Sequence, residues 1–469
     1  MNYLIPFLVQ LLSYFSISQS KLVFVYSHIR HGTRGPGFGE KNMSPIHKDI
    51  YNVEWEGNGE ITKVGIRMLY LLGKITRKRY NSFLSTFDPL EIRVLSTSKS
   101  RTIMSGQAFI QGMFPITDHS DINQTESDLS MPPIELKEED KNEIKQYAKK
   151  NSPENNEVIP IHLLDKEENN MLLTDKSVCP KMLNYKNKTK TSKLFYDFYS
   201  KLNKTYGVQL RKYFNKTEDY FFILRNVFTV CDVFQADYAN NRDLSSFAAM
   251  GIDLDKFYGL CVELKTIYLF TGDCAEELSP MAVSKTFPKI LSWMKKRVDI
   301  DMTKPEHYNK FHNPKFVIYT GHDKTIAPFE LFMKKVFNTK LIYPKFGASL
   351  FIELHRDDKS LNRNSTIDDY YVKYYFNGEF LMEETYANFV SKVQNELMTD
   401  EQIKSFCAVE AKGNLLYIII VGLFAIAIII SIGICAGIFG KKTNKKKKKN
   451  FENKNDEELI DIEKQFNRL

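Results

Sequence analysis

Arg30-His31-Gly32-Thr33-Arg34-Gly35-Pro36 sets two guanidinium groups on either side of one imidazole in a single short turn. Cations held this close repel one another unless an anion sits between them. Planar N–H forks at Arg30 and Arg34 suit a phosphate group, and Gly32 lets the backbone approach a ligand closely. Two further stretches repeat the pattern of polar residues at the end of an apolar run. Arg101 follows "EIRVLSTSKS" and opens a helical segment, where backbone N–H groups also favour anions. His322 and Asp323 follow "PKFVIYTG". Together they offer a nucleophile or ligand (His31), phosphate donors (Arg30, Arg34, Arg101, His322) and a carboxyl group for proton transfer (Asp323).

These groups must be carried by elements that bring distant segments together. "KLVFVYS", "EIRVLSTS" and "PKFVIYTG" are β-rich runs that end at the three clusters, and "ASLFIELH" and "YYVKYYF" read as further strands. "ITKVGIRMLYLLGKITRKRY", "SRTIMSGQAFIQGMF" and "HDKTIAPFELFMKKVF" carry apolar residues at helical spacing, with Ser100 placed to cap the second. Strand and helix alternate near both ends of the body, which predicts an α/β core with a mixed, mostly parallel sheet flanked by helices. Ligands of such sheets bind at the carboxyl ends of strands. From about residue 115 to 305 the chain is rich in Lys, Glu, Asn and Tyr and mostly helical in pattern, and it reads as a cap inserted into the sheet domain.

Two segments stand apart from the 469-residue chain's globular composition of 43% hydrophobic and 26% charged residues. Residues 1–20 hold an apolar run followed by small polar residues, the pattern of a secretory signal peptide. Residues 415–439 are uncharged and long enough to span a bilayer, and the lysine block of the 440–469 tail marks a cytoplasmic flank. The expected layout is a type I single-pass protein with residues 21–412 outside the cytosol. Part of the net charge of +8 lies in that lysine block, which points to anionic lipid rather than nucleic acid. Sequons at Asn123, Asn187, Asn203, Asn215 and Asn364 all precede the span. Cys179, Cys231, Cys261, Cys274 and Cys407 are disulfide candidates in an oxidising compartment, and without a C-x-x-C pair no zinc site is expected.

The motifs resemble those of the histidine acid phosphatases, a branch of the histidine phosphatase superfamily that includes the phytases. "RHGTRGP" matches R-H-G-x-R-x-P, "SRTIMSGQAF" is similar to the D-R-T-x-M-S-A segment, and "YTGHDKTI" to the histidine-aspartate signature. "GEITKVGIRMLYLLGKITRKRY", "VIPIHLL" and "VCPKM" are similar to further segments of the group, so the resemblance covers most of the body. It implies a phosphoglycerate mutase-like fold and an acid phosphatase with no metal or cofactor. His31 would be the nucleophile, forming a phosphohistidine, and Asp323 the proton donor. Arg30, Arg34, Arg101 and His322 would hold the phosphate, with Arg77 added from the family helix. The layout resembles that of lysosomal acid phosphatase, so lysosome and cell surface are the expected locations, and a homodimer is compatible with it. Cys179–Cys407 is the disulfide it favours; Cys231, Cys261 and Cys274 hold at most one more. The chain departs from the pattern at Ser100, where the family carries an acid, and at Lys324, where it carries threonine. "FGASLF" also lacks a cysteine whose usual partner matches Cys231. A phytase or inositol-polyphosphate phosphatase is the alternative enzyme, and a catalytically weak surface receptor or adhesion protein the alternative from another class.

Overall fold

The computed structural model describes residues 20–37, 59–84, 88, 90–114, 137–140, 142–143, 160–303, 313–357 and 365–408. The chain divides into two units, Met1–Ala408 and Val409–Leu469. The second unit, with the 415–439 segment and the lysine-rich tail, lies outside the described residues, as do residues 1–19. Among the described residues no helix is long and apolar enough to cross a membrane.

β1 (Ser20–Arg30) is buried from Val23 onward, as a strand covered on both faces must be. It is followed by α1 (Lys63–Arg79), β2 (Ile92–Ser96), α2 (Ser100–Met113) and β3 (Ile161–Leu163). A helical stretch comes next: α3 (Lys166–Leu172), α4 (Met182–Lys190), α5 (Lys193–Phe214), α6 (Leu224–Ala239), α7 (Leu254–Tyr268) and α8 (Phe287–Thr303). The chain then returns to β4 (Phe316–Gly321), α9 (Asp323–Phe337), β5 (Ser349–Asp357), β6 (Tyr370–Phe376), β7 (Glu379–Thr385), α10 (Tyr386–Glu396) and α11 (Asp400–Cys407).

Among the described residues the seven strands form one sheet in the order β3-β2-β4-β1-β5-β6-β7. Pairings from β3 to β1 are parallel and those from β1 to β7 antiparallel, so the sheet is evenly mixed rather than mostly parallel. The reason is local at one edge. Asn377-Gly378, both at positive φ (49° and 83°), make a two-residue hairpin between β6 and β7. That dipeptide is a turn signal in the sequence and marks a strand, "EFLMEET", that alternation alone does not reveal.

Residues alternate between two cores. Phe24, Tyr26, Val317 and Tyr319 face α8, α9 and α10, while Val25, Ile29, Phe316 and Ile318 face α1 and α2. Two parts of the expected cap therefore belong to the sheet domain. β3 pairs with β2, and α8 buries Phe287, Ile290, Met294 and Val298 against the sheet. The cap's own core runs from Phe195 to Leu264 on α5, α6 and α7.

α1 meets the Arg30–Pro36 turn through two glycines. A Cβ on Gly32 would lie 2.4 Å from the Gly65 carbonyl oxygen, and one on Gly65 would lie 2.2 Å from that of Thr33. Gly65→Ala is therefore expected to force α1 off the turn, costing about 1–3 kcal/mol; urea unfolding measures the loss.

Candidate active site

β1, β4 and β2 are adjacent, parallel and end together: Arg30 pairs with Gly321, and Ser96 with Thr320. The residues that follow each strand share one rim of the sheet. This register brings His31, His322 and Arg101 together although 291 residues separate the two histidines (322 − 31). The His31 and His322 rings lie 5.4 Å apart, and Arg101 Nη2 is 3.4 Å from His322 Nδ1.

His31 is buried, and its Nδ1 lies 2.8 Å from the Gly32 carbonyl oxygen. A carbonyl only accepts, so Nδ1 carries the proton and Nε2 is left with the ring's lone pair. Burial, then Arg30, His322 and Arg101, hold the imidazole well below its ordinary pKa, against a small opposing effect of the Gly32 contact. The same causes act on His322. Burial, Arg101, Arg30 and Arg34 bring it down to about 3, opposed by Asp323. Its Nε2 lies 3.1 Å from Thr97 Oγ1, and its backbone N–H donates to Thr325 Oγ1 at 2.8 Å. His28, buried on β1, contacts that hydroxyl at 2.9 Å through Nε2 and so supports the start of α9. Gly321 has no room for a side chain here: a Cβ would meet Thr325 Oγ1 at 2.2 Å.

Arg30 and Arg34 each have a carboxylate partner. Arg30 is 3% exposed; it donates to the Pro344 carbonyl oxygen at 2.7 Å and pairs with Asp323 at 2.9 Å, and its guanidinium covers the Phe346 ring at 4.3 Å. Burial alone would raise the Asp323 pKa, but Arg30, Lys265, Lys324 and His322 pull it down to about 2. Arg34 pairs with Asp232 Oδ2 at 2.7 Å, and Lys265 binds the other oxygen of the same carboxylate. Arg101 is held down to about 10 by burial and by Arg34, with Asp323 and Glu60 opposing. Ser100, expected to cap α2, is its first helical residue instead; Lys99 precedes it and the Ser100 hydroxyl donates to Glu60 at 2.6 Å. An acid thus reaches this corner from Glu60.

The cap contributes residues that the motifs do not contain. Asp232 and Lys265 come from α6 and α7, and Asn240 ends α6. Asn240 Oδ1 accepts from Thr62 Oγ1 at 2.6 Å and Thr33 Oγ1 at 3.0 Å, tying the cap to the turn. The one signal for Asp232 is a carboxylate inside the apolar run "VCDVF", since a buried charge requires a partner. Nothing local marks Asn240 or Phe346.

Other predicted residues are placed as follows. Arg77 is not brought to the cluster: it lies at the carboxyl end of α1 with its guanidinium 5.0 Å from the Phe114 ring. Gly65, which touches the turn, is about 18 Å back along that helix at 1.5 Å per residue. Cys179–Cys407 and Cys231–Cys261 are bonded. Cys274 is a free, buried thiol whose Sγ lies 3.5 Å from the Lys324 carbonyl oxygen; the α6–α7 contact leaves it no cysteine partner. Lys324 and Lys186 both pair with the buried Asp273. Asn187 and Asn215 are exposed, whereas the Asn203 amide nitrogen donates to Glu218 at 2.9 Å; Asn123 and Asn364 lie outside the described residues. Among the described residues no three His, Cys, Asp or Glu side chains converge as metal ligands.

The Arg34–Asp232–Lys265 triad yields a prediction. Burial opposes ionisation of Asp232, but Arg34 and Lys265 bring its pKa well below the ordinary 3.8. A depressed carboxylate pKa stabilises the fold above the unfolded value and stops doing so as pH falls through the folded one. Asp232→Asn leaves two buried cations facing each other and is expected to cost about 3–5 kcal/mol near neutrality. In urea titrations the gap from wild type should hold above about pH 4 and shrink below it.

The comparisons with known proteins agree with this geometry. The family model described as "Histidine phosphatase superfamily (branch 2)" matches residues 21–377. Lysosomal acid phosphatase of Xenopus laevis is 26% identical over 371 residues, covering 78% of this chain and 74% of that protein. Prostatic acid phosphatase of Homo sapiens is 24% identical over 372 residues, covering 78% and 79%. Among solved structures, the Citrobacter braakii phytase superposes with a TM-score of 0.53 at 14% identity, over 83% of this chain and all 100% of that one. The Klebsiella sp ASR1 phytase gives 0.53 at 16% identity, over 81% and 95%. At these identities the phytases bear on the fold alone. A family match over most of the body, with its motifs gathered at one rim of the sheet, makes this chain a member of branch 2 of the histidine phosphatase superfamily.

Proposed function

We propose that this protein is an acid phosphatase that hydrolyses phosphate monoesters through a phosphohistidine on His31. The observation that carries the reading is a buried imidazole with Nδ1 tied to a carbonyl and with Arg30, Arg101 and His322 around it. A histidine kept neutral in acid is a nucleophile there, and the cations that, after burial, help keep it neutral are also the ligands of its electrophile.

In the free protein Arg30 is engaged by Asp323. An arriving phosphoryl group competes for Arg30 and adds negative charge beside Asp323, which raises the carboxyl pKa. A substrate monoanion bound to the Asp323 carboxylate carries the same number of protons as a dianion bound to the acid. Nε2 of His31 attacks phosphorus as the ester P–O bond breaks, Asp323 gives its proton to the departing oxygen, and the guanidinium groups spread the transition-state charge. Water then attacks the phosphohistidine, losing its proton to the Asp323 carboxylate, and the P–N bond breaks to release orthophosphate.

The cations nearest the cradle argue against a polyanionic substrate as the preferred one. Lys265 is paired with Asp232 and Lys324 with Asp273, so neither is a surplus charge for further phosphates. A complete set of acid, base and anion ligands likewise disfavours the receptor reading. The sequence supports a secreted body on a single type I span, with glycans, in the lysosome or at the cell surface. The named relatives include lysosomal and prostatic enzymes.

The required proton is shared between Asp323 and a phosphate whose second pKa is about 6, so kcat/KM is expected to peak below that pH and fall above it. A maximum above neutrality in a pH–rate profile contradicts the assignment. His31→Ala should abolish turnover of every ester. In single-turnover experiments Asp323→Asn should slow phosphoryl transfer from alkyl phosphates by about 10²–10⁴-fold while sparing transfer from p-nitrophenyl phosphate, whose leaving group needs little protonation; hydrolysis of the phosphohistidine, which loses its base, should slow for both.

A further inference from the structure

α1 is unusual among the helices that flank the sheet. Its 17 residues, KVGIRMLYLLGKITRKR, include Lys63, Arg67, Lys74, Arg77, Lys78 and Arg79 and no acid. Gly65, Leu69, Gly73 and Thr76 form the buried line that packs inward. The opposite side is open: Val64 is 46% exposed, Leu71 48% and Ile75 66%. Projected at 3.6 residues per turn, Lys63, Arg67, Lys74 and Lys78 fall in one stripe about 60° wide. Val64, Leu71, Ile75 and Met68 fall in a second stripe of similar width beside it, and Arg79 bounds that stripe on its far side. The apolar stripe lines a shallow, open groove of about 680 Å³, with Lys63, Arg67 and Gly347 also on its wall.

Side chains this apolar are costly to leave in water, and the catalytic reading uses none of them. A protein partner of the usual kind would present a shaped, mixed-charge surface. Here the pattern is a continuous apolar strip beside a one-signed cationic strip along a helix axis. This is how a helix lies in a lipid interface, with apolar residues among the acyl chains and lysines at the phosphates. We infer that the exposed face of α1 is a docking surface for an anionic lipid bilayer. Gly347 donates its N–H to the His31 carbonyl oxygen at 3.2 Å, so the docked face adjoins the loop that carries Phe346 beside the nucleophile.

The test uses the full chain reconstituted in vesicles, in a Cys435→Ser background, with an environment-sensitive fluorophore on Ile75→Cys. A control carries it on Phe380→Cys, on β7 at the sheet's far edge. In vesicles of phosphatidylcholine with 30% phosphatidylserine, the Ile75 label should shift to the blue and be quenched by lipid-borne quenchers. In pure phosphatidylcholine, at 0.5 M salt, or at Phe380 it should do neither. Arg67→Gln with Lys78→Gln should lower the docked-to-free ratio about 25-fold, taking about fivefold for each cation near the surface. The labelled chains, with and without these two changes, should still hydrolyse p-nitrophenyl phosphate, which shows that they are folded. A label that stays in water in anionic vesicles, or responds equally in neutral ones, overturns the proposal. So does a response that follows protein concentration without lipid, which would assign the face to a second copy of the chain.

Discussion

The structure depends on keeping several cations together when no anion from outside is present. Arg30, Arg34 and Arg101 converge with two imidazoles at the ends of three parallel strands. Left alone they would drive those strand ends apart. The protein answers with two carboxylates from different places. Asp323 takes Arg30, and Asp232 takes Arg34 together with Lys265. Burial first, and then the residual positive field, hold the pKa values of His31 and His322 well below their ordinary range. The cluster is thus assembled in advance, and under the proposed mechanism a phosphoryl group would enter by displacing a carboxylate rather than by ordering loose arginines.

The two carboxylates differ in kind. Asp323 is the proposed proton donor, and in that role its release from Arg30 would be linked to its protonation. Asp232 is a support from the cap, and together with Asn240 it makes the cap a structural part of the site. The Cys231–Cys261 bond joins the two helices that bring Asp232 and Lys265 to the site, so the cross-link braces an electrostatic contact as well as a hydrophobic core. A second buried acid, Asp273, binds Lys324 and Lys186 next to the catalytic corner. Lys324, the residue that departs from the family pattern, is accommodated because this acid takes its charge.

Close backbone approach is the other requirement. Gly32 against Gly65 lets α1 lie directly on the motif turn, and Gly321 leaves space for Thr325 to hold His322. With α1 held so near on its inner side, its outer side is turned to solvent with both its cations and its apolar residues.

Much of the site is legible in the amino-acid sequence. Arg30, His31, Arg34, Arg101, His322 and Asp323 each follow an apolar run, and the chemistry of phosphate selects those residue types. The strands and helices that carry them are written in local periodicity, which depends only on near neighbours in the chain. Arg77 shows the limit of that information: its place in a basic helix says nothing about where the helix end points, and three turns of α1 carry it away from the site. The even mixture of the sheet, the return of α8 to the sheet core, and the cap's gift of Asp232, Lys265 and Asn240 are also absent from local pattern. They follow from which surfaces bury against which, and from the need of each buried charge for a partner that lies far away in the chain. The sequence by itself determined the kind of chemistry and the strand ends that bear it. The tertiary structure decided which carboxylate holds which arginine, because pairing buried charges is a matter of distance in space.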